Sequence, residues 1–482
     1  MKGEITNSAR KTGTYVMTGI IMLLSTIPAA FAQEVRSSGT LRPTLDGEET
    51  TAEQNTSSNT RTSQTAPARR TNAPQPIRLQ TNQPQSLNQP VLPPPPPPPL
   101  TRQSDPFQPT GINAGGFRLY PVLELTGEFS DNVRTDPSGK LNDIGLRIAP
   151  SLRLQSDWLR HSLDLNVSSE HIFYNRASDI DSNTVNASSA LRLDIRRGTT
   201  LTNTTTYQLS ETSSSSSEVP GTAIGNRNDH ELTFTSALSH RFNRIIATLT
   251  GGIEWLTFDD VKLAGGGKEN NADREYIEPS ARLRLGYEIS PALTPFIEAA
   301  YTPRIHRKTL DRNGIARDSH GLNASAGLGF NLSPIWDGEV ALTFEHRNYD
   351  DSLLKDANAL GLNATINWRP TQLTTVSFTS STGIDESANI GISGTRNFDA
   401  SLNISHRFRH NFTGLVNFGF NYDDFIGSGN DDMYFTAQAG FAYAIHRRIE
   451  WIANYYFTRF ESGTAGNSHT ENRISTGIRF RL

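Results

Sequence analysis

The stretch that decides the fold is EYIEPSARLRLGYEISPALTPFIEAAYTPRI, residues 275–305. Apolar residues alternate with Glu, Arg, Ser and Gly through residues 277–289, and the alternation resumes at 297–302 after the turn Ser290-Pro291-Ala292. Successive side chains of a β-strand point to opposite sides, so a period of two indicates strands with one apolar and one polar face. The stretch therefore predicts a β-hairpin.

The length of these strands indicates what surrounds them. Strands of soluble domains average about 5–6 residues, whereas a tilted strand that crosses a bilayer needs roughly 9–11. The alternation here is long enough to cross. If the hairpin closes symmetrically about Pro291, Arg284 lies opposite Glu298 and Glu278 lies opposite Arg304, all on the polar face.

The same pattern repeats along the chain to its last residue. Between residues 117 and 482 we count eighteen alternating stretches, with 199–210 and 373–384 the most polar of them. Their connections alternate between turns of a few residues and long loops rich in Ser, Asp, Asn and Gly, as in outer-membrane barrels. The sequence therefore predicts an all-β fold, a transmembrane antiparallel up-and-down β-barrel of about 18 strands (16–18) with both termini on the periplasmic side.

Two details support a closed barrel in a membrane. Four of the five tryptophans, Trp158, Trp336, Trp368 and Trp451, lie at the short turns, where they would form a periplasmic aromatic girdle. The last stretch carries Ile474, Ile478, Phe480 and Leu482 on one face, and pairing it with the first stretch would remove every sheet edge. Pro150 falls inside a predicted strand, where we expect a bulge.

The residues before the strands divide into two predicted segments. Residues 1–32 have a basic start, an apolar core and an Ala30-Phe31-Ala32 site, as in a cleaved signal peptide, with a retained membrane anchor as the alternative. Residues 33–115 are rich in Pro, Ser, Thr and Gln, which predicts a disordered periplasmic linker. Its proline run, 93–99, is either a spacer or a site for a cell-wall or periplasmic partner. Residues 116–482 form the predicted outer-membrane barrel.

Composition excludes several functional classes. The chain has no cysteine, so disulfides and thiolate metal sites are absent. Without the predicted signal the chain has 42 basic and 48 acidic residues, a net charge of −6. It therefore lacks the excess of positive charge that is typical of nucleic-acid-binding proteins. The mean hydropathy of −0.48 is polar for a membrane protein. A barrel with a wet interior accounts for this value, because every second strand residue faces water.

From residue 117 to 482 the chain resembles the bacterial outer-membrane β-barrel proteins, in particular the family described as putative β-barrel porin 2. The resemblance implies a porin-like architecture in the outer membrane of a Gram-negative envelope, with outer-membrane lipids, lipopolysaccharide and, during biogenesis, the barrel-assembly machinery as partners. It supplies no substrate and no catalytic motif. The chain departs from the usual outer-membrane pattern because it ends on Leu482 rather than an aromatic residue, although Phe480 lies on the same face.

No constellation in the sequence predicts an enzyme, a cofactor or a metal site. Ser239-His240-Arg241-Phe242 recurs as Ser405-His406-Arg407-Phe408, but neighbouring strand residues point to opposite faces, so neither Ser-His pair is a dyad by itself. We interpret the repeat as a rim element. Acidic pairs such as Asp259-Asp260 and Asp350-Asp351 are better explained as solvated loops than as Ca²⁺ ligands.

The sequence thus predicts a porin-like channel for passive diffusion of small polar solutes, of weak selectivity. The alternative is a non-conducting structural or scaffold barrel associated with an envelope polysaccharide or cell-wall system. Loops 211–229 and 259–275 are long enough to fold inward and narrow the path. By parity the lumen-facing, pore-lining candidates are Arg147, Arg153, Arg192, Asp194, Glu254, Glu278, Arg282, Arg284, Glu288, Glu298 and Arg304. The oligomeric state and the solute do not follow from the sequence.

Overall fold

One antiparallel sheet closes on itself and forms the body of the protein. The computed structural model describes residues 107–212, 219, 222–387, 391–463 and 466–482, so the predicted signal peptide and nearly all of the predicted linker lie outside the described residues. Within the described part, the wall consists of β1 (Phe117–Ser130), β2 (Asp143–Ser156), β3 (Ser162–Tyr174), β4 (Ser182–Arg196), β5 (Thr199–Thr212), β6 (Arg227–Phe242), β7 (Ile245–Phe258), β8 (Tyr276–Tyr287), β9 (Leu293–His306), β10 (Ser319–Ser333), β11 (Trp336–Tyr349), β12 (Ala357–Thr371), β13 (Thr374–Asp385), β14 (Gly394–Arg409), β15 (Phe412–Ile426), β16 (Asp431–His446), β17 (Ile449–Ser462) and β18 (His469–Arg481).

Each strand pairs with its neighbours in the chain, and the last strand pairs with the first. β1 and β18 are joined from Val122↔Arg481 to Ser130↔Arg473. A short strand, Ile112–Ala114, also folds back on the start of β1. The prediction of a closed barrel with eighteen strands is confirmed, and it includes the two most polar stretches, which are β5 and β13.

The connections sort by length as predicted. Six of the connections on one rim have two residues and the other two, 157–161 and 288–292, have five. Primed two-residue turns have a positive φ, and two of the six turns contain such a residue, Gly198 (φ 77°) and Asn243 (φ 57°). We call this end the short-turn rim and the opposite end the long-loop rim. Among the described residues the one helix is a three-residue 3₁₀ turn, Ser178–Ile180. The described residues therefore contain no helix that is long and apolar enough to cross a bilayer.

The two faces of the wall differ in chemistry, as β8 illustrates. Glu278 and Arg282 are 4% and 8% exposed, whereas Leu283 and Leu285 are 48% and 41% exposed. In a closed barrel the shielded side chains belong to the inner face and the exposed apolar side chains to the outer face. The inner face is therefore polar and charged, and the outer face presents an apolar band.

The predicted hairpin register is confirmed, and the predicted bulge at Pro150 is wrong. Arg284 pairs with Glu298 across β8 and β9, and Arg304 Nε lies 2.9 Å from Glu278 Oε2. Pro150 stays opposite Leu123 in an unshifted ladder with β1. On the β3 side only the bridges at Ala149 and Pro150 are missing, and the register continues unchanged from Ile148 to Ser151. The missing N–H therefore interrupts one ladder locally without adding a residue.

Candidate functional site

The inner face of the barrel is the candidate functional site, and ion pairs cover much of it. On β8, Arg282 Nε lies 3.4 Å from Glu298 Oε1 of β9. Arg284 reaches past β9 and β10 to form a bidentate pair with Glu339 of β11, and its guanidinium lies over the Phe296 ring at 3.4 Å. Such a reach across intervening strands is possible only for side chains that point into the barrel. Both arginines are therefore neutralised by carboxylates of the same wall.

A second group of charges lies closer to the long-loop rim. Glu278 Oε2 accepts from Arg304 at 2.9 Å and from Arg347 of β11 at 3.1 Å. All three side chains are at most 5% exposed. Glu254 stands directly opposite Glu278 on β7, and its Oε1 accepts from the Tyr276 hydroxyl at 3.3 Å. Two guanidinium groups thus share one carboxylate in a shielded part of the wall.

Three other predicted residues, Arg153, Arg192 and Asp194, occupy a more open sector of the inner face. Arg153 and Asp164 pair at 2.5 Å on β2 and β3, and Arg192 and Asp194 pair at 3.1 Å on β4 with 41% and 36% of their side chains exposed. Glu288 lies just beyond the end of β8 rather than within it, because the strand ends at Tyr287. There it pairs with Arg241 on the short-turn rim.

Arg147, the remaining predicted residue, belongs to a network at the junction of the first and last strands. Glu124 accepts from Arg147 at 3.2 Å and from Arg479 at 2.6 Å, and Arg479 also donates to Glu450 at 3.0 Å. The network extends to further ion-paired residues, Glu128, Glu170, Arg473 and Arg481. Apart from Arg147, the list of candidates missed this network, together with Arg347 and Glu339. The alternation of the last stretch could have found Arg473, Arg479 and Arg481, since its apolar residues fix the opposite face as polar.

Near the long-loop rim, β13 separates from β12 but stays paired with β14 as far as Asp385↔Thr395. Its ladder with β12 ends at Ala364↔Ser380. Beyond that point Asn363 Oδ1 accepts from the backbone N–H of Thr382 at 3.0 Å, in place of a ladder bond. Residues 380–387, which we call the inward segment, are then shielded irrespective of strand parity, with Ile384 and Ser387 at 1% and 0% exposure.

Residues from other connections hold the inward segment. Arg317, between β9 and β10, donates to the carbonyl of Ser387, and Arg274, between β7 and β8, lies 3.7 Å from Glu386. Ile384 packs in an apolar cluster whose other members are Ile315, Tyr349, Leu354, Ala357, Ala359 and Ile426. The inward segment is therefore held at this end of the barrel by residues from several other connections.

The described parts of loops 211–229 and 259–275 meet each other at the rim. Ala223–Ile224 of the first pairs with Val261–Leu263 of the second, which also pairs with Lys268–Glu269. Arg312, on the next long loop, donates to both carboxylate oxygens of Asp273. Burial raises the pKa of Asp273, but these bonds outweigh it and lower the pKa to about 2. The described part of the long-loop rim is thus tied by charged contacts.

The tryptophans predicted for a girdle all lie on the outer surface near the short-turn rim. Trp158, Trp336, Trp368 and Trp451 are 38–44% exposed. Trp336 and Trp368 are cross-strand partners whose rings stack with centroids 5.4 Å apart. Indole rings at this height have both apolar and polar surroundings available, so a girdle remains our prediction for them.

The repeated Ser-His-Arg-Phe sequence has the same local structure in both places. His240 and His406 each contact the hydroxyl of the first threonine of the preceding strand, Thr199 at 2.7 Å and Thr374 at 2.8 Å. Each imidazole also meets the phenyl ring two residues later edge-on. Each histidine thus contacts a threonine and a phenylalanine of the short-turn rim. The Ser239 hydroxyl accepts a hydrogen bond from Thr248 and does not bond to His240.

The acidic pairs of the long loops bind protein groups. Asp259 accepts from Asn228 at 3.1 Å, and Asp351 accepts from the backbone N–H groups of Leu353 and Ala316. Asp424 pairs with Arg396 at 3.1 Å. In the part of the chain that the structure describes, no group of three or more His, Asp or Glu side chains is placed to hold a metal ion.

Comparisons with known proteins place this geometry in a family. Residues 105–482 match the family model described as Putative beta-barrel porin 2. No curated protein matches the chain. Among solved structures, the chain is similar to OpdL of Pseudomonas aeruginosa, with 13% identity over 77% of this chain and all of that one (TM-score 0.38). It is also similar to OpdK of P. aeruginosa, with 9% identity over 76% and 99% of the two chains (TM-score 0.37).

A siderophore receptor, PirA of P. aeruginosa, is similar at the same level. It shares 9% identity over 78% of this chain and 81% of that one, with a TM-score of 0.35. At these TM-scores the three likenesses carry no argument about function. The family match, in contrast, extends from just before the first strand to the last residue, and the barrel accounts for it. The chain belongs to the putative β-barrel porin 2 family of outer-membrane β-barrel proteins.

Proposed function

We propose that the protein is a passive, water-filled channel for small polar solutes with weak ionic selectivity. Family membership supports a porin-like role, and the observation that carries the proposal is the open sector of the inner face. On β4 and β5, Asn186, Ala190 and Thr206 are exposed although they lie on the inner face, and Arg192 is 41% exposed. Elsewhere on that face, the charged side chains of β8, β9 and β11 are packed in ion pairs. The path would therefore follow β3, β4 and β5.

Weak selectivity follows from the arrangement of charge. Arg153 and Arg192 have Asp164 and Asp194 beside them, and Arg282 and Arg284 are paired with glutamates. Rings of unbalanced charge are what give a pore a strong ionic preference. Because every predicted arginine in the wall has an acidic neighbour, the channel would pass both signs.

Single-channel recording in planar bilayers tests the proposal. The unmodified protein should insert in discrete conductance steps. Arg192→Gln should lower the anion-to-cation permeability ratio, because it leaves Asp194 unbalanced in the open sector. Arg396→Gln is the matched control: Arg396 also pairs with an aspartate at 3.1 Å and is 46% exposed, but it lies on the outer face. A folded barrel that inserts and never conducts would refute the channel and favour the scaffold alternative.

A further inference from the structure

On β4, β5 and β6 the apolar outer face is interrupted by uncharged polar side chains. Ser236 of β6 stands between Phe234 and Leu238, which are 41% and 43% exposed on the outer face. Its partner across β5 and β6 is Asn203, and Thr205, two residues along β5, pairs with Ser189 of β4. We call Ser189, Asn203, Thr205 and Ser236 the polar band.

The band lies near the middle of its strands, where the wall would be deepest in the bilayer. Ser189 is the central residue of β4, and Thr205 is next to the centre of β5. The band continues into residues without bulk, since Ser236 pairs with Gly251 of β7 and Gly251 pairs with Ala281 of β8. Small residues of this kind let a second backbone approach closely within a membrane.

The polar groups of the band have no partner of their own among the described residues. Outer-face polar side chains nearer the long-loop rim do pair, as Tyr207 does with His230 at 3.0 Å and Tyr301 with His320 at 2.7 Å. Acyl chains offer no hydrogen bonds, so an unpaired hydroxyl or carboxamide at mid-depth is unfavourable against lipid. The band is therefore unsuited to contact with acyl chains.

We propose that the polar band is the surface through which the protein associates with a second copy of itself in the membrane. Hydroxyl and carboxamide groups both donate and accept, and the band has no formal charge, so it is complementary to itself. All copies insert in the same orientation, and the band of one therefore meets the band of another at the same depth. A different protein would have to present matching groups at that same depth.

Crosslinking in the membrane tests this directly, because the chain has no native cysteine. Thr205→Cys and Ser236→Cys are treated with a short bismaleimide in native outer membranes. Ala439→Cys is the matched control, since Ala439 is an exposed residue near the middle of β16 on the opposite side of the barrel. We expect a crosslinked species of twice the monomer mass on electrophoresis. Its yield should be several-fold higher for Thr205→Cys and Ser236→Cys than for Ala439→Cys.

A second variant separates specific association from collision. Asn203→Leu combined with Thr205→Val, in the Ser236→Cys background, should reduce the crosslinked species to the control level while the barrel still shows heat-modifiable migration. Equal yields at all three cysteines, or a yield that survives the apolar substitutions, would overturn the proposal. Crosslinks from the band to another protein in place of a second copy would also overturn it.

Discussion

Removing the Glu278 carboxylate should destabilise the barrel far more than removing a comparable carboxylate at the rim. In Glu278→Gln, Arg304 and Arg347 lose the negative charge of the carboxylate that they share at 2.9 Å and 3.1 Å. The side chains of these arginines are 4% and 1% exposed. Breaking a shielded ion pair costs about 3–5 kcal/mol because a charge is left without a partner. The carboxylate of Glu254, directly opposite Glu278, can partly compensate the charge of the arginines. We therefore expect the free energy of unfolding to fall by an amount near the lower end, about 3 kcal/mol.

The matched control is Glu288→Gln. Its partner Arg241 is 48% exposed on the short-turn rim, and exposed pairs contribute about 0–1 kcal/mol. Urea unfolding in lipid vesicles, followed by tryptophan fluorescence, gives the free energy of unfolding for both variants. Arg304→Met added to Glu278→Gln should recover part of the loss, because Arg304 pairs with Glu278, whereas Arg347 keeps Glu345 at 3.5 Å. If Glu278→Gln costs no more than Glu288→Gln, the inner wall is wetter than the contacts imply and the reasoning fails.

Three further predictions concern the seam, the long-loop rim and the tryptophans. A Cβ on Gly477 would lie 2.6 Å from Thr126 Cα across β18 and β1, whereas one on neighbouring Gly127 would meet open space. Gly477→Val should therefore lower the yield of folded barrel, measured by electrophoresis. Gly127→Ala should leave that yield unchanged. Asp273, with its pKa lowered to about 2, stabilises its loop at pH values above its ordinary pKa, and this stabilisation should be lost as pH falls from about 4 towards 2. Pepsin cleavage within 259–275, divided at each pH by cleavage of an unfolded reference peptide, should rise over that range in the native protein and show little pH dependence in Asp273→Asn. A variant that keeps only Trp451 should be quenched more strongly by lipids brominated near the headgroup than by those brominated at mid-chain, and the reverse order would exclude the girdle.

The sequence by itself determined the barrel, its strand number to within two, and the register of the β8–β9 hairpin. These follow from alternation and connection length, which are local: once one face is apolar and the turn is fixed, a slip by one residue would put charges into lipid. Parity also gave the inward side of Arg282, Arg284 and Glu298, and could have given Arg473, Arg479 and Arg481 had the last stretch been used in the same way.

Only the tertiary structure decided which of these charges meet and which part of the lumen stays open. Arg284 binds Glu339 from three strands away, and Glu124 pairs with Arg147 and also with Arg479, which is 355 residues away in the sequence. The inward segment is equally invisible locally, because residues 380–385 look like the end of a polar strand. Their separation from β12 is set by the contact with Asn363, and Arg317 holds Ser387 just beyond them. Alternation specifies the face of the sheet to which a side chain belongs. Its partners depend on the curvature of the closed barrel, which brings distant strands within reach of one another.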